Sequence, residues 1–115
     1  MNERAAELKE LGTKAFTAKS YKEAIKFYGQ AIDAETKPEE LAKLLGNRST
    51  TYGLMDMDLE ALADATRALQ HDKTYVKGYF RKATALNSLG RYTEAATAAA
   101  KGLQMQPGNK QLQEL

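Results

Sequence analysis

The sequence lacks several of the residues that most often carry chemistry in a protein. It has 115 residues with no cysteine and no tryptophan, and His71 is its single histidine. Without cysteine there is no disulfide and no thiolate metal site. One histidine alone gives no basis for a metal or catalytic site. We expect His71 near a helix C-terminus, where a cation is favourable.

A strong charge of one sign and a long apolar run are also missing. The net charge is +2, which is too small to indicate nucleic acid as a partner. No run approaches the 18 apolar residues of a membrane span. The first ten residues are charged, without the apolar core of a signal peptide. These features predict a cytoplasmic monomer, whole or a fragment, without membrane contact or cofactor.

Phosphate-binding glycine loops and calcium loops are absent too. Neither G-x-G-x-x-G nor G-x-x-x-x-G-K-[ST] occurs. Asp56, Asp58 and Glu60 alternate, but the glycine and the final glutamate of a calcium loop are missing, so a solvated turn is predicted. No catalytic constellation is found, and we predict that this chain is not itself an enzyme.

The chain instead repeats itself. When Ala24, Ala61 and Ala95 are aligned, the rest falls into three copies, spaced 37 and then 34 residues apart. Other columns follow in step: Leu8, Leu45 and Tyr79; Gly12, Ser49 and Ala83; Tyr28, Ala65 and Ala99. A 34-residue period of paired helices is typical of tetratricopeptide repeats. We therefore predict an all-α array of three helix-turn-helix pairs, each with an A helix followed by a B helix.

The predicted boundaries follow from caps and breakers. One domain is expected over 1–115, with repeats at about 5–37, 42–75 and 76–109 and a capping helix at about 110–115. Pro38 suits the first turn of a helix, Gly90 a helix end, and residues 20–23 a capping box. The A helix of repeat 3 is predicted over 74–89. Most tyrosines, Tyr92 included, are expected in the core.

Polar side chains form a stripe on each A helix. Lys77 and Arg81 are four residues apart and share one helical face. Stacked repeats should gather these stripes into one concave groove. Its candidate binding residues are Lys9, Thr13, Lys43, Asn47, Thr50, Lys77, Arg81 and Thr84. Clustered cations favour a carboxylate ligand. The alternative is a solvated basic face.

Three segments carry a family resemblance: K-E-L-G-T-K-A-F at 9–16, N-R-S at 47–49 and K-G-Y-F-R at 77–81. The chain resembles the carboxylate-clamp tetratricopeptide domains of Hsp90 and Hsp70 co-chaperones. Four of five clamp positions match, and Thr13 stands where the family usually has asparagine. Segments 64–69 and 75–83 most resemble the domain of protein phosphatase 5. The long first connection and residues 108–110 look more like myosin-folding chaperones or small adaptors.

The resemblance implies binding of the acidic E-E-V-D tail of Hsp90, with Hsp70 as a further candidate. Lys77 and Arg81 would hold carboxylates from one wall and Lys9 and Asn47 from the other. Phe16 would help to shelter the valine. Two alternatives stay open: a scaffold for a different peptide, and the targeting module of a larger enzyme such as a Ser/Thr phosphatase. An RNA-binding helical repeat is disfavoured by the charge.

Overall fold

The computed structural model describes residues 2–115, which form seven helices and no strand. They are α1 (Glu3–Thr17), α2 (Tyr21–Ala34), α3 (Pro38–Leu54), α4 (Asp58–His71), α5 (Val76–Ser88), α6 (Tyr92–Met105) and α7 (Lys110–Gln113). Short turns join α1 to α2, α3 to α4 and α5 to α6 into hairpins, and α7 packs on α6. The predicted all-α array with a short final helix is confirmed. None of the helices in this range combines the length and apolarity that a membrane crossing requires.

The three A–B turns share one backbone feature. Lys19, Asp56 and Gly90 have φ of 63°, 58° and 76°. Each lies five residues before the aligned alanine of its repeat. Glycine adopts this left-handed conformation freely, and a lysine does so at a cost. Gly90 follows the last residue of α5 by two positions, as a helix-ending glycine should.

Two local predictions were wrong. Ser20 precedes α2 without a side-chain cap, so the capping box is absent. Its backbone N–H instead donates to the carbonyl of Ala15 at 2.8 Å, so the end of α1 satisfies it. Helix α5 begins at Val76, two residues later than predicted. Asp72 Oδ1 accepts from the backbone N–H and hydroxyl of Thr74 at 2.9 and 2.6 Å, which holds a turn there.

Small residues let the helices of each hairpin approach closely. Ala24, Ala61 and Ala95 are at most 3% exposed. The Ser49 hydroxyl donates to the carbonyl of Ala61 at 2.8 Å, which ties α3 to α4. A Cβ added at Gly12 would lie 2.8 Å from the Tyr28 ring. The columns of small residues therefore mark the tightest helix crossings, as the repeat alignment predicts.

Tyr92 is a correction, because it is 69% exposed at the start of α6. In repeat 1 the equivalent Tyr21 packs on the Phe16 ring, with centroids 5.8 Å apart. In repeat 3 the position of Phe16 is held by Asn87, so Tyr92 has no aromatic partner there. Tyr28 and Tyr79 are buried as predicted.

One charged pair is built into the interior of repeat 2. Asp64 on α4 accepts from Arg48 Nε at 2.7 Å and from Arg48 Nη2 at 2.9 Å. The Asp64 side chain is 5% exposed and that of Arg48 is 17% exposed. The hydrogen bond to Asp64 raises the pKa of Arg48 further, against the effect of burial. Nothing in the sequence analysis anticipated this pair.

Candidate peptide-binding groove

The A helices α1, α3 and α5 line three adjoining hollows. The first, of about 520 Å³, contains Lys9, Lys43, Asn47 and Lys77. The second, of about 250 Å³, contains Thr13, Phe16, Asn47, Thr50 and Arg81. The third, of about 220 Å³, contains Thr50, Arg81 and Thr84. Asn47 links the first two, and Thr50 and Arg81 link the last two. Together they form one surface, which we call the A-helix groove.

All nine residues predicted from the sequence line this groove. The repeats therefore bring together side chains that are up to 75 positions apart in the chain. Their role as ligand contacts stays a prediction. Because the hollows share lining residues, the polar stripes of the separate A helices form one surface.

The cations of the groove differ in how they are paired. Within residues 2–115, no carboxylate oxygen lies within 4.0 Å of the charged groups of Lys9, Lys77 and Arg81. Lys43 Nζ is instead 3.8 Å from Glu40 Oε1, and its side chain is 53% exposed. Lys43 is thus the weakest of the four cationic candidates for holding a ligand carboxylate.

The Arg81 guanidinium lies near an aromatic ring. Its Cζ atom lies 5.1 Å from the centroid of the Phe80 ring, within cation–π range. Burial raises the pKa of the Tyr75 hydroxyl, and the positive charge of Arg81 opposes that shift. Since Tyr75 lines the first hollow, the charge of Arg81 also contributes to the potential there. Arg81 therefore lines the second and third hollows and contributes charge to the first.

Asp72 is an acidic residue of the groove that the sequence analysis missed. It lines the first hollow beside the lysines. Hydrogen bonds from the Thr74 hydroxyl and backbone N–H lower the pKa of Asp72, and Lys43 adds to the effect. Asp72 therefore offsets part of the positive charge. Its D-x-T spacing, typical of a side-chain-capped turn, was the available signal.

Thr13, Thr50 and Thr84 occupy one repeat column but bond differently. Thr50 and Thr84 donate their hydroxyls to carbonyls four residues earlier in their own helices, at 3.1 and 2.8 Å. The Thr13 hydroxyl lies 3.2 Å from that of Tyr28, and either can donate. Thr13 therefore keeps a hydroxyl turned away from its own backbone. Of the three threonines, Thr13 alone has its hydroxyl bonded outside its own helix.

Comparison with known proteins finds tetratricopeptide repeat domains that resemble this chain in sequence and structure. A family model described as tetratricopeptide repeat matches residues 76–109. Serine/threonine-protein phosphatase 5 of Rattus norvegicus is 42% identical over 107 residues, covering 93% of this chain and 21% of the relative. The resemblance to phosphatase 5 inferred from short motifs is thus confirmed over most of the chain. The chain spans about a fifth of the length of phosphatase 5 and of the STIP1 homolog of Dictyostelium discoideum.

Two solved structures show the same fold with a bound peptide. The second TPR domain of human RPAP3, in complex with the HSP70 peptide SGPTIEEVD, is 32% identical with a TM-score of 0.89 and covers 96% of this chain and 90% of its own. The first TPR of Spaghetti (RPAP3), bound to the HSP90 peptide SRMEEVD, is 28% identical with a TM-score of 0.92 and covers 99% and 88%. The second RPAP3 domain, 32% identical and matched over 90% of its length, shows that the chain belongs to the tetratricopeptide repeat family.

Proposed function

We propose that this chain is a co-chaperone-type interaction module of the cytoplasm that binds the acidic C-terminal E-E-V-D tail of Hsp90, and that of Hsp70 in the same groove. The carrying observation is that Lys9, Lys77 and Arg81 line one continuous groove without a carboxylate partner in residues 2–115. Clustered cations repel one another unless an anion or water neutralises them. The solved relatives that hold E-E-V-D peptides support this reading.

In this proposal each hollow of the groove contacts a different part of the peptide. Lys77 and Arg81 on α5 hold carboxylates from one wall, and Lys9 on α1 and Asn47 on α3 hold them from the other. Asn47 lies where the first two hollows meet and can donate from its amide to either carboxylate. The second hollow offers Phe16 to the apolar valine. Thr50 and Thr84 line the continuation, where the residues before the tail pass.

Calorimetry with the peptide SRMEEVD tests the proposal directly. We expect saturable binding in the micromolar range, about −7 to −8 kcal/mol. The same peptide with an amidated C-terminus should bind at least about tenfold more weakly, because a hydrogen bond to a charged group contributes about 1.5–3 kcal/mol. Absence of saturation at millimolar free-acid peptide, or equal affinity for the amide, would reject the clamp and favour a scaffold for another peptide.

Matched variants identify the residues involved. Lys77→Ala and Arg81→Ala should each weaken binding of the free-acid peptide by about 1.5–3 kcal/mol. Lys22→Ala removes the same charge from an exposed position on α2, outside the groove, and should change the affinity by less than twofold. Circular dichroism separates a lost contact from lost folding. A Lys22→Ala effect as large as that of Lys77→Ala would show that only net charge matters.

A second candidate is that the chain is the targeting module of a larger enzyme, such as a Ser/Thr phosphatase, and is not itself catalytic. The 42% identity to phosphatase 5, of which this chain matches only 21%, favours it. Both candidates use the A-helix groove to bind the same peptide. Sequencing the full-length transcript distinguishes them, since an adjoining phosphatase domain supports the second and its absence rejects it.

A further inference from the structure

A further hollow, separate from the three of the A-helix groove, lies on the other side of α5. It has a volume of about 420 Å³ between α4, α5 and α6, and Lys73, Lys82, Glu94, Ala98 and Lys101 line it over an apolar floor. On α5 it is faced by residues 79, 82 and 86, whereas the A-helix groove is faced by residues 77, 81 and 84. At 3.6 residues per turn these two sets point in roughly opposite directions. We call this hollow the B-face pocket.

The equivalent place in repeat 2 is occupied by a carboxylate. The residues 34 positions before Lys82, Ala98 and Lys101 are Arg48, Asp64 and Arg67. There the Asp64 carboxylate receives two hydrogen bonds from Arg48, at 2.7 and 2.9 Å. Arg67 Nη1 lies 3.9 Å from the same carboxylate. Repeat 2 thus shows that a carboxylate fits between two cations at this position of the fold.

Repeat 3 keeps both cations and lacks the carboxylate. Lys82 and Lys101 replace the arginines, and Ala98, 5% exposed, replaces the aspartate. In the described part of the chain no carboxylate oxygen lies within 4.0 Å of either lysine. The methyl group of Ala98 leaves open the space that a carboxylate fills in repeat 2.

Glu94 is the acidic group that faces the pocket from α6, but it is already engaged. Its two oxygens accept from Arg91 Nε and Nη2 at 2.6 and 2.8 Å. The hydrogen bond with Arg91 lowers the pKa of Glu94, and the charge of Lys82 adds to that shift. Lys73, from the turn after α4, adds a third cation to the lining. The pocket therefore keeps an excess of positive charge.

We infer that the B-face pocket binds an aspartate or glutamate side chain supplied by an acidic segment of a partner protein, with its carboxylate between Lys82 and Lys101 above Ala98. The missing carboxylate of repeat 3 is then provided in trans. Such a contact needs no free C-terminus, because the carboxylate comes from a side chain. This site is independent of the proposed E-E-V-D groove and lies on a different face of the domain.

Backbone amide NMR titration of the ¹⁵N-labelled domain tests the inference. The probe is acetyl-Gly-Asp-Glu-Asp-Gly-amide, which has side-chain carboxylates and no terminal one. We expect saturable shifts at the amides of Lys82, Ala98 and Lys101, and none from the same peptide with Asn and Gln in place of Asp and Glu. Shifts confined to the A-helix groove would overturn the inference. Tighter binding of inorganic phosphate at equal ionic strength would also overturn it, because the pocket would then be an inorganic-anion site.

Variants at Ala98 separate charge from shape. Ala98→Asp supplies the carboxylate from the chain itself, so we expect at least tenfold weaker peptide binding and a raised melting temperature. Asparagine has nearly the same volume as aspartate but no charge. Ala98→Asn should therefore weaken peptide binding less than Ala98→Asp does, and it should raise the melting temperature less. Equal effects of both substitutions on binding and melting would contradict a charge-specific site.

The lysines provide a readout that does not depend on filling the pocket. Lys82→Gln and Lys101→Gln should each weaken peptide binding at least threefold, whereas Lys22→Gln should leave it unchanged. Lys77→Ala, which lies in the A-helix groove, should also leave it unchanged. Conversely, Ala98→Asp should still bind SRMEEVD if the proposed function holds, so either site can fail without the other. Unaltered affinity in both lysine variants would overturn the inference.

Discussion

The buried pair between Arg48 and Asp64 gives the sharpest test of how repeat 2 is held together. Asp64→Ala removes a carboxylate that is 5% exposed and accepts two hydrogen bonds. Its loss leaves the Arg48 guanidinium, which is only 17% exposed, without its anionic partner. Since Arg48 is on α3 and Asp64 on α4, the substitution weakens the junction inside this hairpin.

The size of the effect follows from burial. Removing one partner of a buried ion pair costs about 3–5 kcal/mol. Arg48 retains some exposure and can turn toward water, so we expect a cost around the lower end of that range or slightly below it, about 2.5–3.5 kcal/mol. For a domain of about 100 residues each kcal/mol lowers the melting temperature by about 4–8 °C. The expected fall is therefore about 10–28 °C.

Urea unfolding followed by circular dichroism measures this free energy. The matched control is Glu94→Ala, which breaks the bidentate pair with Arg91, whose two side chains are 45% and 57% exposed. Exposed pairs contribute about 0–1 kcal/mol, so this variant should unfold nearly as the unmodified chain does. A double-mutant cycle with Arg48→Met isolates the coupling. If Asp64→Ala costs no more than Glu94→Ala, the buried pair does not stabilise the hairpin and the reasoning is refuted.

Three further predictions concern other parts of the chain. Thr13→Asn should tighten SRMEEVD binding by about 0.5–1.5 kcal/mol, because an amide reaches further and donates twice; weaker binding in calorimetry would mean that the groove is adapted to threonine. Lys19→Gly should raise the free energy of unfolding in urea by about 0.5–1 kcal/mol by relieving a left-handed φ of 63°, and a loss would contradict this. Hydrogen bonds from Thr74 lower the pKa of Asp72 in the folded chain, so they stabilise the fold at pH values above the unfolded pKa of about 3.9. This stabilisation is lost as the pH falls through the folded pKa. Asp72→Ala should therefore be less stable than the unmodified chain at pH 7 and approach it in acid, and a pH-independent difference would refute the linkage.

Much of the fold could be predicted from the sequence, because the repeat columns report on packing directly. A column of small residues such as Gly12, Ser49 and Ala83 indicates a close helix crossing whichever repeat is considered, and all three are buried. The positions of Pro38 and Gly90 likewise depend on local backbone chemistry, and the structure has them at a helix start and just beyond a helix end.

What the sequence could not predict depends on contacts between different segments. Arg48 and Asp64 are 16 residues apart, and neither charge alone indicates that the other is buried beside it. The capping box at Ser20 is absent for a local reason, since the carbonyl of Ala15 already accepts the Ser20 backbone N–H that the Glu23 side chain would otherwise bond. Tyr92 was expected in the core from residue type, but Asn87 replaces the aromatic partner that its counterpart has in repeat 1.

The groove obtains its charge from differences between the repeats. The positions that provide Lys43 and Asn47 in repeat 2 provide Lys77 and Arg81 in repeat 3, so donors accumulate where α3 and α5 meet. In repeat 1 the same two positions hold an alanine and a glutamate, at residues 6 and 10, and repeat 1 contributes Lys9 from a different column. The donors of the groove are therefore distributed unevenly over the three A helices. The residues shared by all three copies hold the helices together, and the residues that differ determine what the surfaces between them can bind.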